Sequence, residues 1–352
     1  MSTDLLTRFV RGLLPGLAHS AVLMAALLAG SSVQAAAAVP SGDSSILPSD
    51  SQLEELWNEG EFTEGVAVAA DGQVYFSDIA FGEGPGRILK YDPKTGKTTV
   101  HCADSGKSNG LMFDGKGRLL AACGAHHGHR GLVEILPDGQ VRIIVDKFKG
   151  KRFNSPNDLV VHPNGSVYFS DPRYVGAEPM EMKQMSVYRY DPDGSIHRVT
   201  TNDVIEKPNG VHVSPDGKTL YVAETNNGSS DVTKDDPTVK PGRMTLNALE
   251  INADGSLGEK KVLADFGKGV GTDGMSIDQQ GNIYAAVRKD DRHGIIVFTP
   301  QGKELAYIPT EELPTNCCFG VGPNAKTLYI TAGGGLYRIR LAQAGFHPGM
   351  KK

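Results

Sequence analysis

Six times along the chain a polar residue opens a short β-rich run, a tight turn follows, and a second β-rich run completes the unit. The copies start at Glu64 (EGVAV, turn Asp71-Gly72, YFSD), Asn109 (NGLMF, Lys116-Gly117, LLAAC) and Asn157 (NDLVV, Asn164-Gly165, YFSD). They continue at Asn209 (NGVHV, Asp216-Gly217, YVAE), Asp273 (DGMSI, Gln280-Gly281, YAAV) and, most loosely, Asn316 (NCCFG, Pro323-Asn324, YITA). Apolar and polar residues change places too quickly for helices, and Asp-Gly and Asn-Gly pairs are hairpin turns. Second hairpins such as RILKYDPKTGKTTV, GLVEILPDGQVRII, SVYRYDPDGSIHRV and GIIVFTPQGKELAY lie between the copies.

Successive copies begin 43 to 64 residues apart, which suits blades of four strands. The pattern predicts an all-β fold, a six-bladed β-propeller over residues 51–345. The last copy is followed by a single strand, GLYRIRL (335–341), so its fourth strand is expected from residues just before Glu64. The two termini then share the closing blade. Residues 36–50 are read as a linker and 346–352 as a C-terminal tail.

In five copies the polar residue stands eight positions before the turn glycine. The first strand of a blade lines the central channel, so Glu64, Asn109, Asn157, Asn209, Asp273 and Asn316 are expected to converge at one mouth. A ring of carboxylate and amide oxygens suits a hard cation, with Ca²⁺ the first expectation. Zn²⁺, Mn²⁺ and Mg²⁺ stay open. A single Asn or Asp at a strand start is an ordinary turn residue; six in phase, two of them acids, point to a metal.

Segments that follow the second strands should lie on the same face as this mouth: IAFGEGPG, GAHHGHRG, PRYVGAEPMEMKQM, TNNGSSDVTKDDPTVKPG and RKDDRHG. They carry His126, His127, His129, Arg130, Arg173, Tyr174, Arg288, Lys289 and His293, groups suited to polar ligands. His127 and Arg173 are expected to contact substrate. The long blade-four loop is expected to form a partial lid, and the opposite face, with its short turns, to be inert. His126, His127 and His129 are poorly spaced for three ligands on one ion.

Composition narrows the partners. A net charge of −5 gives no basic field for nucleic acid. Cys102, Cys123, Cys317 and Cys318 make neither a disulfide framework nor a zinc site, and the vicinal pair reads as two buried small side chains. Arg8 and Arg11, the apolar run Ala21 to Ala29 and the small residues up to Ala35 form a secretory signal pattern over residues 1–35. The mature chain is therefore expected to be exported, periplasmic or secreted, with no membrane attachment. Its oligomeric state is left open.

The segments KRFNSPNDLVVHPNGSVYFSDPRY, KPNGVHVSPDGKTLYVAET, TDGMSIDQQGNIYAAV and PTNCCFG resemble the senescence-marker-protein/gluconolactonase (regucalcin-like) family of calcium-dependent lactonases. The resemblance runs over residues 55 to 342. It implies a metal held by Glu64, Asn157, Asn209 and Asp273, and a substrate contact from Asn109. The chain departs from that family in its EGVAV segment and in the Arg of DPRYVG. The expected reaction is metal-dependent hydrolysis of a small, hydroxylated lactone, with Asp273 as general base and with Asn109 and Lys107 orienting the substrate. Two alternatives remain: an organophosphate esterase on the same scaffold, and a Ca²⁺-stabilised propeller that only binds a ligand. No Gly-x-Ser-x-Gly elbow supports a serine nucleophile.

Overall fold

The computed structural model describes residues 39–228 and 230–349. The expected signal segment, residues 1–35, lies outside them. Six antiparallel sheets of four strands follow one another along the chain. Blade 1 is Thr63–Val68, Val74–Asp78, Arg87–Asp92 and Lys97–Cys102; blade 2 is Ser108–Phe113, Leu119–Cys123, Gly131–Ile135 and Val141–Val145. Blade 3 is Leu159–Val161, Val167–Asp171, Ser186–Tyr190 and Ile196–Arg198; blade 4 is Pro208–Val213, Thr219–Thr225, Met244–Ile251 and Leu257–Asp265. Blade 5 comprises Thr272–Ile277, Ile283–Val287, Gly294–Phe298 and Glu304–Pro309. Blade 6 takes Pro314–Phe319, Thr327–Ala332 and Gly335–Arg340 from the end of the chain and Glu54–Trp57 from its beginning. Glu54 stands opposite Arg338 across this join and accepts its guanidinium at 2.7 Å. The propeller closes as expected, by mixing the termini.

Burial explains the strand pattern. The innermost strands of blades 1, 4 and 5 are buried at every position, because both faces pack on neighbouring blades, whereas half of the outermost strand of blade 1 is exposed. The core is split into six apolar wedges, one between each pair of adjacent blades. Val66, Val68 and Phe76 of blade 1, for example, pack on Tyr329 and Leu336 of blade 6. A sandwich would have one continuous core; six wedges require a closed ring.

The two ends differ from expectation. Residues 36–50 were read as a linker, but Ser41–Gly42 pairs with Tyr307 and Ala306 as a fifth strand on blade 5, and Ile46 and Leu47 are buried against blades 5 and 6. Two apolar residues in a short polar stretch were the only signal. The tail also belongs to the fold. The Phe346 N–H donates to the Ile277 carbonyl at 2.8 Å, and the His347 ring pairs with the Gly320 carbonyl at 3.0 Å. Phe346 to Gly349 then lie across the far mouth of the channel, over a void of about 40 Å³ lined by the innermost strands of all six blades. That face is covered by this segment, not only by short turns. Among the described residues no helix is long and apolar enough to cross a membrane.

Candidate active site at the open mouth

Five of the six repeat residues sit at a bulge; the inner strand of blade 3, which follows Asn157, shows none. In five blades the register shifts at the start of the innermost strand, between Glu64 and Ala67, Ser108 and Leu111, Pro208 and Val211, Thr272 and Met275, and Pro314 and Asn316. A bulge re-aims one side chain out of the sheet, and here that side chain is the polar residue of the repeat. Glycine follows it for a steric reason. A Cβ at Gly110 would sit 2.4 Å from the Asp158 carboxylate, and one at Gly210 would sit 2.3 Å from the Asp273 carbonyl. Neighbouring innermost strands approach too closely for any side chain there.

Glu64, Asn109, Asn157, Asn209 and Asp273 line one cavity of about 520 Å³. Asn316, the loosest copy, does not. Its Oδ1 accepts the Cys317 N–H at 2.8 Å, and it lines the void on the far side of the channel.

Glu64 and Asp273 are nearly inaccessible, at 3% and 4% exposed. Burial, and then the Asp273 charge, push the Glu64 carboxyl well above its usual range. Burial also raises the Asp273 carboxyl, against the pull of Arg288, whose Nη1 donates to Asp273 Oδ2 at 2.7 Å. Two buried carboxylates thus share one guanidinium. Asn209 is buried beside them, and its Oδ1 has no hydrogen-bond partner. An orphaned amide oxygen next to under-compensated acids fits a cation, since buried charge and unpaired acceptors are both costly. The donors are all oxygens, and among the described residues no three His, Cys, Asp or Glu side chains gather into a metal-holding group. A cation here would rely on asparagine oxygens.

The five loops expected on this face do contribute to the cavity, through Phe81, His126, Tyr174, Asp231 and Arg288 among others. Asn227 and Asp231 come from the long blade-four loop, and Asp231 accepts the Gly176 N–H from the blade-three loop at 2.6 Å. Lys107 lines the cavity, but its Nζ donates to the Ala80 and Gly82 carbonyls and so braces the blade-one loop. Burial lowers its pKa from the usual lysine value.

Two of the expected substrate contacts do not line the cavity. His127 is exposed and outside the cavity, its backbone N–H bound to Glu178; His126 lines the wall instead. Left-handed backbone at both residues turns their side chains to opposite uses, which no spacing rule foretells. Arg173 is fully buried and binds Glu178 and the Gly176 carbonyl, so it shapes the blade-three loop. The four cysteines are all free, with Cys317 buried and Cys318 half-buried.

Two of the loop residues expected on this face, Tyr174 and Arg288, line the wall, and a buried acid on the far void, Asp158, was not singled out from the sequence. Tyr174 donates its hydroxyl to the Thr225 carbonyl at 3.0 Å and lies under the Lys207 ammonium, 4.3 Å from its ring centroid. Arg288 clamps Asp273 and stacks over Phe62. Asp158 occupies the glycine position of blade 3, accepts the Val211 N–H at 3.0 Å and is pushed up to about 7 by burial. The break in the polar-Gly rule at Asn157-Asp158 was the visible sign of this third buried acid.

Residues 62–334 match the family model for the SMP-30/Gluconolactonase/LRE-like region. The chain is 30% identical to a gluconolactonase of Zymomonas mobilis over 323 residues, 85% of this chain and 84% of that one. It is 29% identical to the diisopropyl-fluorophosphatase of Loligo vulgaris over 71% of this chain and 78% of that enzyme. Among solved structures, a gluconolactonase from Xanthomonas campestris superposes with a TM-score of 0.73 at 29% identity, covering 87% of this chain and 96% of that one. With most of the propeller matched, the chain belongs to the SMP-30/gluconolactonase/LRE-like family.

Proposed function

We propose that this protein is a lactonase, a carboxylic ester hydrolase that opens a lactone ring with the aid of a divalent cation. The observation that carries the reading is the pair of buried carboxylates, Glu64 and Asp273, beside the unpaired Asn209 oxygen at the floor of an open cavity. The likeness to gluconolactonases supplies the substrate class.

Glu64, Asn157, Asn209 and Asp273 would hold the ion, and an all-oxygen set of this mixed kind favours Ca²⁺. When bound, such an ion supplies carbonyl polarisation and a bound water of lowered pKa. The remaining steps belong to the chain. Arg288 holds Asp273 Oδ2 and so orients the carboxylate, which would take the proton of the attacking water. Water adds to the carbonyl carbon, the ring C–O bond breaks, and the ring oxygen leaves as the hydroxyl of a hydroxy acid. Asn109, at the rim of the ring, is placed to orient the substrate.

The test is acid release on a lactone panel with and without chelator, with metal content measured on the same samples. A chelator-sensitive, metal-restored rate supports the reading. A second reading, phosphotriester hydrolysis, is favoured by the likeness to the fluorophosphatase and is tested by a phosphotriester panel run alongside. A protein that binds its ion and hydrolyses neither class is a binding module. Export to the periplasm is proposed from Arg8, Arg11 and the apolar run before Ala35; mass measurement of the mature chain tests it.

A further inference from the structure

The floor of the cavity is polar, but its wall is not. Phe62, Ile79, Phe81, Val175, Val270 and Leu313 line it. Three of these stand open to solvent: Phe81 is 67% exposed, Val175 54% and Leu313 37%. They come from the blade-one loop, the blade-three loop and the segment entering blade 6, so sequence-distant residues build one apolar rim. Large apolar side chains left exposed together, around a mouth, mark a surface that is covered when a ligand binds.

The polar groups of the wall are mostly committed elsewhere. Lys107 holds two carbonyls, the Ser155 Oγ accepts the Ala125 N–H at 2.9 Å, and the Tyr174 hydroxyl donates to Thr225. The Asn227 Oδ1 accepts the Lys207 ammonium at 2.7 Å, Asp231 accepts Gly176, and Arg288 is on Asp273. Among the described residues, His126 and Asp290 remain in the wall to answer hydroxyl groups, beside Asn109 and Asn157 of the ring and the unused capacity of Asn227 and Asp231. A site built for a polyhydroxylated ring presents unpaired donors and acceptors at matching positions, because these are what reject analogues lacking the hydroxyls. This wall offers few of them above the ring floor.

We propose that the substrate of this enzyme is a lactone bearing an alkyl substituent, whose ring lies on the polar floor while its chain covers Phe81, Val175 and Leu313. The inference rests on the lactonase reading and replaces the hydroxylated lactone expected from the oxygen ring, the polar loops and the family resemblance. The cavity, at about 520 Å³, holds a ring together with a chain.

The experiment is kcat/KM of the metal-loaded protein on gluconolactone, on unsubstituted δ-valerolactone and on δ-lactones with progressively longer 5-alkyl chains. The expected result is a rise of roughly fourfold for each methylene that reaches the wall. The double variant Phe81→Ser, Leu313→Ser should flatten that rise, chiefly through KM. Because the readout is the ratio of long-chain to unsubstituted lactone in one sample, loss of folded protein cancels. Gluconolactone turned over faster than every alkyl lactone, or an unchanged ratio in the variant, overturns the proposal while the lactonase reading stands. No hydrolysis of any lactone by the wild-type protein overturns both.

Discussion

Arg288 Nη1 lies 2.7 Å from Asp273 Oδ2, and the pair forms where Thr272 stands opposite Val287 in blade 5. The guanidinium occupies one oxygen of the carboxylate expected to hold a cation and to accept a proton. It orders that carboxylate and would also repel a cation bound there.

Arg288→Ala should therefore tighten metal binding, on the order of tenfold for a like charge removed at this range, and lower kcat at saturating metal. Titration calorimetry beside steady-state rates checks both. Weaker binding in the variant would show that Arg288 supports the ring instead of competing with the ion.

Asp273→Asn keeps an oxygen for the metal and loses the base, so turnover should fall by about 10²-fold or more while part of the metal affinity persists. Glu64→Gln should lose metal first, and Asn316→Ala should leave both nearly intact, because its side chain faces the far void. Equal losses in all three variants would contradict this division of labour.

Stability should depend on pH through Asp171, which burial pushes up to about 7 against the N–H groups of Asn154 and Ser155 that bond its oxygens. A carboxyl whose pKa is raised by folding favours the native state below its unfolded value, near 4, and that contribution is lost as pH climbs toward 7. Wild type should lose stability relative to Asp171→Asn over this interval, by at most about 1.4 kcal/mol per pH unit. Urea unfolding of both proteins at pH 4.5 and 7.5 is the comparison, and a constant difference would rule out the titration.

Gly210→Ala places a methyl 2.3 Å from the Asp273 carbonyl, so two innermost strands must part. The expected cost is about 1–3 kcal/mol, with activity lost alongside because Asn209 and Asp273 sit on those strands. Gly82→Ala, where a Cβ meets nothing within 4 Å, is the control. Thermal unfolding separates the two.

The blade repeat and the phase of the ring were legible because each depends on residues a few positions apart: bulge, glycine and turn are local. Even the closing strand followed from counting, since Glu54–Trp57 fills the one gap left after Gly335–Arg340. What stayed hidden depends on distant pairing or on backbone twist. His126 and His127 differ by one position and face different ways. Arg173 looks like a ligand-binding arginine in sequence and is buried by a loop that folds back over it. The apolar rim joins Phe81 to Leu313 across more than two hundred residues, with no pattern in either neighbourhood to link them. The Asp273–Arg288 clamp was recoverable, because the hairpin turn at Gly281 sets the register that brings them together.

The segment from Phe346 to Gly349 across the far mouth has a kinetic consequence. With that exit obstructed, a hydroxy acid made at the floor must retreat through the same doorway by which the next lactone arrives. Entry and departure are then mutually exclusive, so accumulated product should act as a competitive inhibitor. Any change to the rim loops would alter uptake and clearance together, leaving the enzyme no independent way to speed one without the other.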